Sequence, residues 1–473
     1  MLIAYYLGKK MLKTLIRQKY LAAILFRNTY AVKLRLAYIF ALIGIIFPHH
    51  YVLAQTTTEY YAAVSEDEII NNDSENQDAS VYFNRGVDKY NDGNFPGALN
   101  DFSKAIELRP DFIEAYYNRG ILRIELADYQ GGIEDFTNVI NLDPSRIEAY
   151  YNRGNINSLI GNYQAAIVDF NKVIELEPNL FYVYSNRGVA RSGIGDERGA
   201  IADFSQAIEL EQNAVDAYNN RGIIRRKLGD YSGAIADYSK VIELKPNNAQ
   251  TYFNLGVART EFGDKQGAIE DYNWAIKLKP DYAEAYLNRG NIWQNLGNYQ
   301  QAIADFSQAI KLNPELADAY NNRGNIRRLL GDDWGAIIDY DQALRIKPNL
   351  PDAYNNRGNA YSVLGNYREA ISNYNQALKL NSELFLTYYN RGAAYLELGD
   401  YEAALGDLNR AIELQPNFAN AYESRGIVYE QLGDLPKALE DLQKAAELFV
   451  EEEKNSEYER VKEVIDKIER NVG

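Results

Sequence analysis

Residues Tyr82-Phe83-Asn84-Arg85-Gly86 decide the fold, because near-copies of them return every 34 residues. Asn118-Arg119-Gly120, Asn152-Arg153-Gly154, Asn186-Arg187-Gly188 and Asn220-Arg221-Gly222 follow in step. The series runs on to Ser424-Arg425-Gly426, eleven occurrences with no insertion or deletion between them. A fixed period of this size marks a stacked array of small supersecondary units rather than a domain with one central core.

The period defines frames that open at Ala79, Ile113, Ile147 and onward to Ala419. Position 4 is Tyr and position 8 is Gly in all eleven frames. Position 15 is Gly in ten, with Ala127 the exception. Position 20 is Ala except for Gly132, position 24 is Phe, Tyr or Leu, and position 27 is Ala or Val. Position 32 is Pro in eight frames; Gln212, Ser382 and Val450 replace it.

This pattern predicts two antiparallel helices per frame. The first covers positions 1–14 and ends at the Gly, which supplies the left-handed conformation a helix C-terminus favours. The Asp or Asn that follows caps the second helix. That helix carries apolar residues at positions 20, 21, 24, 27, 28 and 30, the spacing of one helical face. Pro at position 32 stops it, having no amide proton to continue the ladder. The small residues at positions 8, 20 and 27 let helices approach, and the aromatics at positions 4 and 24 fill the space left between them. One helix pair cannot bury its apolar face alone, so the pairs stack. The expected fold is all-α: a right-handed α-solenoid over residues 79–452, closed by a C-terminal capping helix within 453–473. In that last helix Val461, Val464, Ile465 and Ile468 share a face, and Ser456 with Glu459 makes a capping-box pattern.

These residues resemble the tetratricopeptide repeat family from about Ala79 to Glu452. The chain departs from that pattern at position 7, which is Arg in ten frames and Leu255 in one, and at position 4, where Tyr stands for the frequent Trp. The resemblance implies that first-helix positions 2, 5, 6, 9, 12 and 13 line a concave groove open to a protein or peptide partner. Position 6 is Asn in ten frames. Such a row is similar to the asparagine ladder of superhelical O-GlcNAc transferases, which holds an extended peptide by its backbone. An amide both donates and accepts, so it matches peptide groups without reading side chains. The groove residues implied are Asn118, Asn152, Asn220, Asn288, Asn322 and Asn356, joined at position 9 by Asn291, Asn325 and Asn359. Tyr117 and Tyr151 add aromatic surface towards one end, and Arg226 and Arg328 at position 12 add basic points. The alternative is that each Asn bonds to the backbone of an adjacent helix. Co-chaperone members of the family clamp a terminal carboxylate with Lys at position 5, a residue no frame has here.

Two further polar positions recur. Arg at position 7 and Asp at position 23 each occur in ten frames. They are expected to pair between helices and form a ladder, since Arg forks two hydrogen bonds onto a carboxylate. A row of anion sites is the other reading.

The chain has no Cys, which excludes disulfides and thiolate metal sites, and its two histidines, His49 and His50, precede the repeats. Residues 1–54 hold eight Lys or Arg and no acid, around an apolar centre at residues 36–47. This reads as a signal peptide cut before Gln55, or as an uncleaved N-terminal membrane anchor. Either way the repeats are expected beyond the cytoplasmic membrane, periplasmic or secreted. Residues 55–78 read as a disordered acidic linker. The net charge of −16 becomes −24 without the basic leader, which opposes nucleic-acid binding. No phosphate loop, nucleophile motif or metal cluster appears, so no cofactor and no enzyme activity is expected. The function this leaves is a protein-interaction scaffold; a self-associating or membrane-anchored assembly factor is the alternative.

Overall fold

The computed structural model describes residues 74–472, all helix, turn and short connection, with 23 helices and no strand among them. The leader expected at residues 1–54, its apolar centre and most of the linker lie outside the described residues. Within them, no helix is long and apolar enough to cross a membrane. The first helix opens at Ser74, so the linker boundary expected at residue 78 moves back into helical sequence.

Each frame delivers its two helices, as in repeat three (Ile147–Leu159 and Tyr163–Leu176) and repeat eight (Ala317–Leu329 and Asp333–Ile346). The chain divides into two compact units, one ending at Gly229 and the other beginning at Asp230. Within each, every helix packs on the helix before it and the helix after it. In repeats three to five of one unit and six to eleven of the other, consecutive first helices also approach one another, and second helices do not do so to the same degree. Within each unit the first helices of those repeats therefore share a wall.

The close approach of paired helices depends on position 8. A Cβ built on Gly358 would lie 2.6 Å from Tyr374 Cε1, and one on Gly86 would lie 2.7 Å from Phe102 Cε1. The position-24 ring thus stacks against bare backbone, and Phe136, Phe170, Phe306, Tyr340 and Tyr374 are all fully buried. Alanines at position 20, among them Ala166, Ala302 and Ala336, have no exposed surface.

The turns follow the expected chemistry with two corrections. Gly at position 15 takes φ between +75° and +95°. Capping of the second helix is done by the carboxylates: Asp128, Asp196, Asp264 and Asp332 each accept from the amide three residues on. Asn162, Asn298 and Asn366 make no such bond, so the amide residues expected to cap do so only at Asn94. Pro at position 32 is not the sole stop of the second helix, although where Val450 replaces it the helix runs on to Glu451. The helices followed by Gln212 and Ser382 stop at Leu210 and Leu380, the same frame position as those followed by Pro.

The final helix, Asn455–Val472, buries Val461 and Ile468 in a cluster with Leu442, Ala445 and Phe449 of the eleventh repeat. It covers the terminal apolar face, as an array end requires. Its start differs from expectation: the helix begins at Asn455, and the Ser456 hydroxyl bonds Glu457 at 2.7 Å rather than closing a capping box.

Candidate functional site

The recurrent arginines belong to the scaffold. Arg153 Nη2 lies 2.7 Å from Asp169 Oδ1 while its Nη1 donates to Thr137 Oγ1 of the preceding repeat at 3.0 Å. Its guanidinium also lies over the Tyr150 ring. The same set returns at Arg119 with Asp135, Ser103 and Tyr116, and at Arg323 with Asp339, Ser307 and Tyr320. Each arginine is thus a bidentate clasp within its repeat and a tie to the repeat before. The paired carboxylates are buried, with Asp135 at 0% exposure, so these arginines already hold their anions.

The sequence carries a signal for the tie to the preceding repeat. Position 25 is Ser, Thr, Asn or Asp in ten frames, a small polar residue facing the next repeat's arginine.

The asparagine row lies along the wall of first helices, in repeats seven to ten of the second unit. Asn322 Nδ2 donates to Asn291 Oδ1 at 2.8 Å, and Asn356 Nδ2 donates to Asn325 Oδ1 at 3.0 Å. Each bond joins position 6 of one repeat to position 9 of the repeat before. Asn325 Oδ1 also accepts from the Tyr340 hydroxyl at 2.8 Å, as Asn359 Oδ1 does from Tyr374 at 2.8 Å. Asn321 and Asn355 donate to Asn322 Oδ1 and Asn356 Oδ1. The amides do not bond the backbone of an adjacent helix; they bond one another, side chain to side chain, across repeats.

That bonding is one-sided. The amide oxygens of Asn291, Asn322, Asn325, Asn356 and Asn359 all accept a hydrogen bond from the protein. The amide nitrogens of Asn291, Asn325 and Asn359 donate no hydrogen bond among the described residues. Asn321 is the exception in the other sense, with a buried oxygen that has no donor. The half-buried wall therefore presents N–H groups in excess.

The other expected groove residues are less alike. Asn288 faces the Tyr272 hydroxyl, whose proton burial holds up to about 12. Asn118 and Asn220 are half-buried on their first helices. Asn152 is buried and donates to the Tyr117 hydroxyl at 3.1 Å, and Asn186 likewise donates to Tyr151 at 3.2 Å. Tyr151 is only 6% exposed, packed on Phe170 and Tyr182, and burial pushes its hydroxyl pKa up. Its ring is core, not open groove surface, while Tyr117 keeps partial exposure. Arg226 is half-buried and engaged by the protein itself. Arg328 is half-buried as well, at the same position of repeat eight.

Tetratricopeptide repeat models match residues 88–126, 113–146, 147–180, 222–261, 258–297, 283–316, 324–365, 351–384, 392–433 and 419–449. Among solved structures, a MamA protein is 33% identical over 36% of this chain and 92% of its own, with a TM-score of 0.34. YrrB, described as a tetratricopeptide repeat protein with an unusual peptide-binding site, is 24% identical over 39% of this chain and 95% of its own, TM-score 0.37. Yeast Tom70 is 16% identical over 84% and 97% of the two chains, TM-score 0.35. No curated protein gives a significant match.

Proposed function

The chain belongs to the tetratricopeptide repeat family, whose members generally mediate protein–protein interaction, and on that premise we propose that it is a non-catalytic scaffold holding an extended segment of a partner protein along its first helices. One observation carries the reading: the amide wall at Asn291, Asn325 and Asn359 has its oxygens occupied and its N–H groups in excess. An extended polypeptide offers a carbonyl at every residue, and a backbone in that state has no internal partner for it. The surplus donors and the spare carbonyls are complementary, and the contact is indifferent to side-chain sequence. The negative net charge argues against nucleic acid as the partner.

We place this scaffold beyond the cytoplasmic membrane, on the basic flank and apolar stretch of residues 1–54. Cell fractionation that recovers the repeats in the cytosol would overturn that placement.

The binding reading is tested by selecting peptides from a display library on the protein from Gln55 onward. Selected peptides should bind Asn322→Ala plus Asn356→Ala at least tenfold more weakly than the parent, with the melting curve of the variant recorded beside it. Equal binding by a folded double variant would sink the proposal.

A further inference from the structure

Arg328 occupies position 12 of repeat eight, on the same first helix as Asn322 and Asn325, and lines a cleft of about 280 Å³ with Gln294, Asn295, Tyr299 and Asn325. It is half-buried, its Nε is shielded from solvent, and that nitrogen has no hydrogen-bond partner. The other two arginines directed inward from this helix are matched to a carboxylate. In the same repeat, Arg323 and Arg327 reach Asp339 at 2.6 and 3.0 Å and occupy both of its oxygens. No ion pair forms at Arg328 among the described residues.

No neighbouring acid among the described residues forms an ion pair with Arg328, although Asp339 and Asp333 act on the same Tyr340 hydroxyl. The Tyr340 hydroxyl beside it gives its proton to Asn325 Oδ1 at 2.8 Å, and burial holds that phenol neutral up to about 12. Asp333, which opens the second helix, is buried with one oxygen unpartnered, yet makes no ion pair with Arg328. A guanidinium kept partly from water without an anion is costly, and a protein of net charge −16 had acids enough to match it.

We propose that this cleft is a carboxylate subsite of the groove, receiving an acidic side chain or the chain terminus of the bound segment. The inference rests on the groove reading above and names one chemical requirement of its partner. One planar guanidinium answers one planar, singly charged carboxylate in a bidentate fork. A phosphate would call for a second cation, and the remaining lining side chains are neutral amides, a phenol and two aliphatics. Asn325 belongs to both the amide row and the cleft, so a segment held by the row passes within reach of Arg328.

The test follows the ¹⁵N–¹H signal of Arg328 Nε in the full chain, assigned by its loss in Arg328→Gln. Three small probes are titrated at fixed ionic strength: N-acetylaspartate N-methylamide, N-acetylglycine, and N-acetylasparagine N-methylamide. The first two carry a side-chain and a terminal carboxylate; the third is the neutral match. A saturable shift with either carboxylate and none with the amide is expected, and which of the two acts identifies the source. No shift from either carboxylate, or an equal shift from the neutral probe, overturns the proposal. Library peptides that bind wild type and Arg328→Gln equally would also overturn it, while leaving the groove reading intact. Peptides carrying the preferred carboxylate should lose at least tenfold in affinity with Arg328→Gln, and less with Arg328→Lys.

Discussion

Asp271 Oδ2 lies 3.3 Å from Nη1 of Arg259, and no position-7 arginine shares the load, because Leu255 stands where ten other repeats place one. Asp271 is 5% exposed, and its Oδ2 has no hydrogen-bond partner. Burial, opposed by Arg259 and aided by the charges of Asp264 and Glu270, pushes its carboxyl up to about 7. The break in the ladder thus leaves a titrating group inside the second unit.

The pH dependence follows from the sign of that shift. The folded-state pKa is above the unfolded one, so the folded state binds the extra proton between about pH 4 and 7. Asp271 therefore costs nothing below about pH 4, and its penalty grows as pH rises to about 7 and is full above it. At about 1.4 kcal/mol per unit the penalty is on the order of a few kcal/mol. Asp271→Asn should raise the melting temperature at pH 8 and leave it almost unchanged at pH 4. The amide is tolerated at this position, since Asn373 accepts from Arg357 at 2.7 Å three repeats later. A variant whose gain is equal at both pH values would dismiss the explanation.

The ladder predicts unequal costs for equal-looking substitutions. Asp169 is held by Arg153 alone, whereas Asp135 has both Arg119 and Arg123, the latter at 2.9 Å. Arg153→Ala leaves a buried carboxylate with no cation and should cost roughly 3–5 kcal/mol. Arg119→Ala leaves Arg123 in place and should cost clearly less. Denaturant melts of the two variants check this, and a larger loss for Arg119→Ala would refute the division of labour.

Position 8 should tolerate no side chain against an aromatic. Gly290→Val directs a branched residue onto Phe306, whose Cε1 lies 2.7 Å from the Cβ position. An overpacking cost of roughly 1–3 kcal/mol or more is expected. Gly392 faces Leu408, whose Cγ is 3.1 Å from that position, so Gly392→Ala should cost less than Gly290→Ala. Thermal melts of Gly392→Ala and Gly290→Ala compare the two at fixed added volume, and a milder Gly290→Ala would be contrary.

What recurred at a fixed frame position was readable without coordinates. Gly at position 8 under a ring at position 24 follows from size alone, and Arg153 with Asp169 follows from charge and recurrence. The exceptions were also visible as exceptions: Leu255 and Ala127 are single breaks in otherwise constant columns. The asparagine row was not readable in the same way. Whether Asn322 meets Asn291 depends on the rise and rotation between repeats, which no composition of one frame encodes. Tyr340 and Tyr374 carried a clue, since tyrosine at position 24 coincides there with Asn at position 9 of the same frame, and the two bond. Tyr151 misled because position 5 is half wall and half core: its ring is buried, whereas Tyr117 at the same position stays partly exposed.

Ala127 is the one residue at position 15 that is not glycine, and its φ is +62°. An L side chain in that region brings Cβ against the following carbonyl, at about 1–2 kcal/mol. Part of what Ala127→Gly recovers is lost again, because glycine gives the unfolded chain about 0.4–1 kcal/mol of extra freedom. A net stabilisation of up to about 1 kcal/mol is expected. Because arrays of repeats open locally, the informative readout is hydrogen exchange at the turn itself rather than a global melt. The Ala127 amide donates to Ile124 O at 2.9 Å and the Asp128 amide to Arg123 O at 2.8 Å, so both report on that turn. Ala127→Gly should slow exchange at Asp128 several-fold, and Gly161→Ala should speed it at Asn162, whose amide donates to Asn157 O at 2.7 Å. Faster exchange in the glycine variant would mean that the second repeat holds this turn by contacts other than its backbone conformation.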